Sequence, residues 1–350
     1  MTAKGDLPKE GTMINQPATP RRVGLGYLLP LLGGLTCALG AFGLSLFGLE
    51  RTGNLPPPAF SNSLCVDEKL QQLREHPVKS PDTLIIGSSV AWRHVDGDQL
   101  VKRSPTIKPL NGAFCGLSAN QSVYVGNWLL DREPTIRRVV MVIDPQDFAG
   151  CWKAPDAVFN RNDADAFVYE KAPRLPYYIR YFSPVSLMRN ALTVKDQRSG
   201  KNEWDPLVFD SYGGGPLDTT NSRRLLYGKP DALDHSCFAA LSDMADRLKR
   251  EARKFTVVST PLHPDWKSKY DPDGTFLADF DFRVKKSLEL ANAKYWNADR
   301  ELDTPAGDFV DAIHLRWSAA KRFSAVLAER LYMSSPSIET NLMVGAGLTP

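Results

Sequence analysis

Residues Asp82–Arg93 read DTLIIGSSVAWR, and the fold follows from the way that stretch changes character. Leu84-Ile85-Ile86 is a short apolar run without polar alternation, the pattern of a strand buried on both faces of a parallel sheet. It runs straight into Gly87-Ser88-Ser89. Glycine lets the backbone turn sharply, so the hydroxyl that follows is delivered to the carboxyl end of the strand, where open α/β sheets carry their chemistry. Ser89 is therefore the candidate nucleophile. A serine hydroxyl at its own pKa is a poor nucleophile and needs a base that a third group orients. Far along the chain, Asp311-Ala312-Ile313-His314 supplies such a pair.

The chain around this stretch alternates strands with helices. The strongest strand signal is Val139–Ile143, apolar throughout, with Asp144-Pro145-Gln146-Asp147 as its loop. Pro109–Gly116 reads as a second strand end and a glycine-containing loop, followed by a helix over Asn120–Leu130. Phe255–Ser259 and Lys294–Asn297 are two later strands. Helical spacing is expected over Val66–His76, with Leu70 and Leu73 on one face, and over Phe238–Lys254, with Phe238, Leu241, Ala245 and Leu248 on one side. Ser318 is expected to cap a last helix that turns Ala319, Phe323, Val326, Leu327 and Leu331 inward. The alternation predicts a parallel sheet covered on both faces. Gly150–Leu233 is far longer than the usual loop of about 4 to 6 residues. It is rich in aromatics and carries Gly213-Gly214-Gly215, which predicts either a substrate-facing insert with a few helices or packing for one edge of the sheet.

With 350 residues and 43% hydrophobic side chains, the chain has room for a substantial core. Lys plus Arg is 43 against 40 for Asp plus Glu, a net charge of +3, so there is no strong field to gather nucleic acid, and that class is set aside. Val23–Leu49 contains no charged side chain and exceeds the roughly 20 apolar residues that a bilayer span needs. Arg21 and Arg22 precede it, while Glu50 and Arg51 cancel after it, which puts the N-terminus in the cytoplasm and everything after Arg51 outside. A cleaved signal peptide is the competing reading. The run is longer than the usual h-region and no small-x-small cleavage site follows it, so an uncleaved anchor is favoured. The expected organisation is a cytoplasmic tail over 1–22, a transmembrane anchor over 23–49, a linker (Leu55-Pro56-Pro57-Pro58) and leading helix over 50–80, a catalytic domain over 81–335 with its insert at about 150–233, and a loose tail over 336–350.

Of the five cysteines, Cys37 lies in the anchor, and Cys65, Cys115, Cys151 and Cys237 lie beyond it. Four exported cysteines permit three pairings or four free thiols. No Cys-x-x-Cys or clustered His/Cys spacing points to a zinc site, and no cofactor is called for.

Four separated blocks together resemble the SGNH (GDSL-like) hydrolase family. Gly87-Ser88-Ser89 is similar to its Gly-Asp-Ser block, with Ser89 at the nucleophile position and Ser88 in place of the aspartate. Asn111-Gly-Ala-Phe-Cys-Gly116 resembles the second block and implies that the Gly116 amide is an oxyanion-hole donor. Asp311 and His314 match the final Asp-x-x-His block. The third block departs, because Asp144-Pro-Gln146-Asp147 stands where the family has Gly-x-Asn-Asp; Gln146 can still offer an amide N–H, one methylene further out. The resemblance covers roughly 80–333 without the insert. It implies a three-layer flavodoxin-like parallel sheet, a catalytic set of Ser89, His314 and Asp311, and an oxyanion hole made by the Ser89 and Gly116 amides with the Gln146 side chain.

Weaker candidates are also legible. Arg93 can hold a substrate anion, although an exposed or capping Arg93-His94 pair accounts for it better. His263, at the end of the fourth strand, points to the active edge as a substrate-binding group or as a loop histidine bonded for structure. Asp144 and Asp147 suggest a metal or an acid/base pair, and a strand-end turn explains them equally well.

Membrane-anchored members of the broad family are similar in layout: the proteins of alginate and cellulose O-acetylation and the anchored protein of teichoic-acid D-alanylation. The resemblance implies a single-pass protein of a bacterial inner membrane with a periplasmic domain, beside a polytopic membrane acyltransferase and a polysaccharide acceptor. The first functional reading is an O-acyltransferase working through a Ser89 acyl-enzyme. An esterase with the same triad is the second. A catalytically silent anchored scaffold is the third, kept open by the missing third-block asparagine.

Overall fold

A computed structural model describes residues 25–199, 206–291 and 293–332; the tails expected over 1–22 and 336–350 lie outside the described residues. The described residues fall into two compact units, one ending at Leu55 and the other beginning at Pro56.

The first unit is built on α1 (Leu28–Arg51), entered through a single 3-10 turn at Leu25–Tyr27. At 24 residues the helix is about 36 Å long, against a hydrocarbon core of about 30 Å. Among the described residues it is the one helix long and apolar enough to cross a membrane. The uncharged run is 23–49, whereas the helix starts later and takes in Glu50 and Arg51. Pro30 falls in its first turn, where the missing N–H has no partner to lose. The hydroxyls of Thr36 and Ser45 donate to the carbonyls of Leu32 and Ala41, both at 2.8 Å, so neither needs a partner outside the helix.

The second unit begins with α2 (Leu64–Glu75) and then enters the sheet through β1 (Thr83–Gly87), which delivers the chain directly into α3 (Ser89–His94) and α4 (Gly97–Arg103). After β2 (Pro109–Asn111), α5 (Ala119–Arg132) and β3 (Arg138–Ile143) comes the insert. It carries α6 (Arg161–Val168), α7 (Leu175–Arg180) and α8 (Pro184–Arg198). The chain returns through α9 (His235–Arg250), β4 (Lys254–Ser259), α10 (Pro264–Tyr270), α11 (Thr275–Leu288), β5 (Lys294–Asn297), α12 (Ala298–Glu301) and α13 (Trp317–Tyr332).

All four strand pairings are parallel, in the order β2-β1-β3-β4-β5. The central strands β1, β3 and β4 are buried along nearly their whole length, which is why they read as apolar runs. Alternate side chains go to opposite faces. Leu84, Ile86, Val139 and Met141 pack with Trp128 and Leu129 of α5, Leu241 of α9 and Val284 of α11. Ile85, Val140, Val142 and Val258 pack with Val90 of α3, Leu100 of α4 and Phe323 and Leu327 of α13.

Three sequence expectations are corrected. The helix after the insert ends at Arg250, because Ala252 turns with φ +53° before β4 begins at Lys254; it does not run on to Lys254. Ser318 is not the cap of α13: the helix starts at Trp317, Ser318 stands exposed in its first turn, and the Arg316 carbonyl accepts the Ala320 N–H at 2.9 Å. Of the residues expected to face inward from α13, Val326 is only half-buried, and Ala320, Ser324 and Ala328 are buried instead. The insert packs against the rest of the unit at two places. Phe167 of α6 is part of the core, and the segment after α8 returns over the nucleophile helix, where the Gly215 N–H donates to the Trp92 carbonyl at 2.8 Å. A Cβ on Gly215 would meet the Trp92 indole at 2.2 Å, so only glycine allows that approach.

Candidate active site

The strand-to-helix turn at the end of β1 is tight. Gly87 has φ +141°, and a Cβ there would lie 2.3 Å from the Val142 carbonyl oxygen and 2.6 Å from the Ala91 Cβ. Glycine is needed on both counts. Ser88 takes the N-cap position of α3 without a side-chain capping bond, its hydroxyl turning to Asp147 instead, and Ser89 is the first residue of the helix. Ser89 is half-buried, while the residues around it, Gly87 to Val95, are all buried.

His314 meets Ser89 from the loop before α13. Its Nε2 is 2.8 Å from Ser89 Oγ, and its Nδ1 is 2.9 Å and 3.0 Å from the two Asp311 oxygens. Asp311 and His314 are buried. Burial by itself would push the Asp311 carboxyl up, but His314 and the N–H groups of Ile313 and His314 hold it below its ordinary value. An ionised Asp311 is an acceptor only, so Nδ1 carries the hydrogen and Nε2 is left to accept the Ser89 O–H. That is the arrangement in which imidazole can take a proton from serine. Arg223 Nη1 stands 3.9 Å from Asp311, and the Tyr227 ring lies edge-on to His314 at 5.6 Å.

Ser89 and His314 open into a cavity of about 580 Å³ that Gly116, Asp144, Gln146, Trp152, Arg223 and Tyr227 also line. A smaller cavity of about 320 Å³ along the same sheet edge holds the Lys267–Asp299 ion pair but none of the three candidate catalytic side chains. Gly116, with φ +68° and an exposed position, borders the larger cavity. Asn111 supports the site from beneath: its amide donates to the carbonyls of Ala91 and Trp92 at 3.1 and 3.4 Å, and its Oδ1 accepts the Ala113 N–H.

Gln146 reaches the cavity wall, but one hydrogen of its amide is taken by the Gly228 carbonyl, which ties the β3 loop to the insert. Arg93 is not exposed and does not cap a helix. It is buried, borders the cavity, lies 3.7 Å over the Trp92 ring, and donates to the carbonyls of Gly215 and Pro216 at 3.2 and 3.3 Å, contacts that hold the insert against α3. His94 is fully buried as well. His263 is not brought to the cavity: its Nδ1 accepts the Asp265 N–H at 3.0 Å and caps α10, so its structural reading is the one realised.

Asp144 and Asp147 form a strand-end turn. Asp144 Oδ1 accepts the Gln146 N–H at 2.5 Å, and the Asp144 N–H donates to Asp147 at 3.2 Å. Burial pushes both carboxyls up, and the nearby Asp144 pushes Asp147 further. Among the described residues no group of three His, Cys, Asp or Glu side chains could hold a metal ion.

The four cysteines pair as Cys65–Cys115 and Cys151–Cys237, one of the three pairings that the sequence left open. Cys65 and Cys115 border the cavity, and Cys151 precedes the rim residue Trp152, whose side chain is 79% exposed. Trp152, Arg223 and Tyr227 escaped sequence reasoning. They sit in the insert without a motif, and a large exposed indole is recognisable only once burial is known.

No protein-family model matches the chain, and no curated protein is significantly similar to it.

Proposed function

We propose that this protein is a membrane-anchored serine acyl-transfer enzyme of the cell envelope. An acyl group, acetyl being the simplest, passes from a donor to Ser89 and then to a hydroxyl of an exported or surface polysaccharide. The observation that carries this reading is the unbroken line from Ser89 Oγ to His314 Nε2 at 2.8 Å and from His314 Nδ1 to Asp311 at 2.9 Å, opening into a cavity.

His314 removes the Ser89 proton as Oγ attacks the acyl carbon, and returns that proton to the donor's leaving oxygen as its bond to the acyl carbon breaks. In the second half the acceptor hydroxyl gives its proton to His314 and attacks the Ser89 ester, and the proton then goes back to Ser89 Oγ. Asp311 stays ionised and stabilises the imidazolium in both halves. The amides of Ser89 and Gly116 are the donors assigned to the oxyanion, the term that usually contributes most.

The strand order is that of flavodoxin-like sheets, and the four sequence blocks lie around one cavity; both support an SGNH (GDSL-like) type. The two disulfides suit an oxidising compartment. With α1 as the anchor and Arg21 and Arg22 inside, the domain is periplasmic in a bacterial inner membrane, where a polytopic membrane acyltransferase is the natural donor partner. The exposed Trp152 at the rim offers a face for a sugar ring, which supports a glycan acceptor. Hydrolysis of the same acyl-enzyme is the second reading, favoured by the half-buried Ser89, which water can reach.

Intact-mass measurement after fluorophosphonate treatment tests the nucleophile. A single adduct that disappears in Ser89→Ala is expected, and a folded wild-type protein that stays unlabelled would leave only the scaffold reading. Activity from an alkaline phosphatase fused near residue 60 checks the topology.

A further inference from the structure

The insert turns an apolar surface outward along two consecutive helices. Leu175 and Ile179 stand at i and i+4 on α7, Phe182 follows just beyond the end of that helix, and Val185, Met188 and Leu192 stand at i, i+3 and i+7 on one face of α8. All six side chains are more than half exposed. The opposite side of α8 buries Asn190, Ala191 and Val194, which fixes the outward direction of the stripe. Among the other described residues of this unit the exposed large hydrophobic ones, such as Val208, Phe282 and Leu290, stand singly along the chain, as is normal for a protein surface. A grouped set of six is not.

These helices are also where the chain arrives from α1. The Tyr178 hydroxyl on α7 donates to the Pro56 carbonyl at 2.6 Å. Phe60 packs its ring against Phe167, Tyr177 and Tyr181, with centroids 4.7 to 5.4 Å apart. Only Thr52–Leu55 separate the last residue of α1 from Pro56, a tether of at most about 18 Å at full stretch. Arg189 and Lys195 stand exposed on α8, where Asp196 is the only acidic residue. An apolar stripe with basic neighbours on a short tether from an apolar helix is the composition of a segment that lies in a bilayer interface.

We infer that the outer faces of α7 and α8 rest in the headgroup region of the membrane that α1 spans, as a second contact with anionic lipid. This rests on the reading of α1 as an anchor and is independent of the chemistry at Ser89. Such a contact holds the domain by two points, the tether and the stripe, which restricts its rotation over the membrane.

The test uses the full chain with Cys37→Ser, so that the one free cysteine is removed, reconstituted in nanodiscs of phosphatidylcholine and phosphatidylglycerol. A nitroxide is placed at Met188→Cys or Leu192→Cys, and at Phe282→Cys on α11 beside β5, the sheet edge opposite β2, as the reference. At 188 and 192, collision with oxygen is expected to exceed collision with a hydrated nickel chelate several-fold, and at 282 the order reverses. In phosphatidylcholine alone the contrast at 188 and 192 shrinks. Chelate access at 188 and 192 equal to that at 282 overturns the inference. Exclusion of both reagents also overturns it, because the face then belongs to another protein chain. Extraction of the chain by alkaline carbonate instead signals failure of the anchor reading, so the two failures are told apart.

Discussion

The imidazole of His94 accepts the backbone N–H of Leu315 at 2.9 Å through Nε2, while its Nδ1 lies 2.6 Å from the Thr260 hydroxyl. An amide N–H only donates, so Nε2 is unprotonated, Nδ1 carries the hydrogen, and the ring is neutral. Burial, reinforced by the neighbouring His314, pushes its pKa well below the ordinary 6.5. His94 thereby pins the residue next to His314. Its Ala variant leaves the Leu315 N–H buried without a partner and is expected to cost about 1 to 3 kcal/mol, and to lower kcat more than it changes KM. A folded pKa below the unfolded one contributes stability that is present above pH 6.5 and lost progressively as pH falls below it toward the depressed folded value. Urea midpoints between pH 5 and 8 are expected to fall toward acid in the wild type and to fall less in His94→Gln. Equal slopes would remove His94 as the acid-sensitive group.

Ser89 and His314 are expected to behave as one unit. Ser89→Ala and His314→Ala each abolish most turnover, and the double variant is scarcely worse than either, because members of such a unit are strongly non-additive. Asp311→Asn keeps the fold and lowers kcat by up to about 10⁴-fold through the wrong imidazole tautomer. Steady-state rates on an activated ester, corrected for folded fraction, decide the matter, and additive losses would count against a single triad.

Gln146→Ala separates two roles. As an oxyanion donor the amide would be worth about 10² to 10³ in kcat; as the tether to Gly228 it contributes about 1 kcal/mol of stability. With its amide bonded to Gly228, the expected outcome is a lowered urea midpoint and less than a tenfold change in kcat. A loss of 10² or more with an unchanged midpoint would restore the donor role.

Cys151 and Cys237 close a loop of 86 residues, and on chain entropy alone their bond stabilises the fold by about 4 to 5 kcal/mol. Cys151→Ala with Cys237→Ala is expected to lose much of this in chemical denaturation. Wild-type protein treated with a reductant that opens both disulfides should lose at least as much, and an unchanged midpoint in either sample would contradict the pairing.

Trp152→Ala removes the exposed rim indole. If a sugar ring stacks there, KM for an oligosaccharide acceptor rises about tenfold while kcat changes little. A kcat loss without a KM change would place Trp152 in chemistry instead of acceptor binding.

The strand-turn-serine at 83–89 and the Asp-x-x-His spacing at 311–314 were legible because their signals are local: an unbroken apolar run, a glycine at a turn, two polar groups three residues apart. The same holds for the five strands and for the apolar run that became α1, whose ends the sequence placed only approximately. The partners of Arg93, His263 and Gln146 were not legible. Each chooses between solvent, ligand and a backbone group, and that choice depends on which distant segment packs beside it: Gly215 and Pro216 for Arg93, Gly228 for Gln146. His263 instead turned back on its own helix, accepting from Asp265.

By itself the sequence determined the alternation of buried strands and helices, the one helix apolar enough for a membrane, and the identity of the serine, histidine and aspartate. Those follow from periodicity and spacing over a few residues. The tertiary structure alone decided that Ser89 meets His314 across 225 residues of chain, which cysteines pair, that His94 supports the histidine loop, and that the insert both closes the cavity wall and turns a hydrophobic face outward. Contacts between segments so far apart in sequence are set by how two apolar sheet faces and their covering helices pack, and no local pattern encodes that packing.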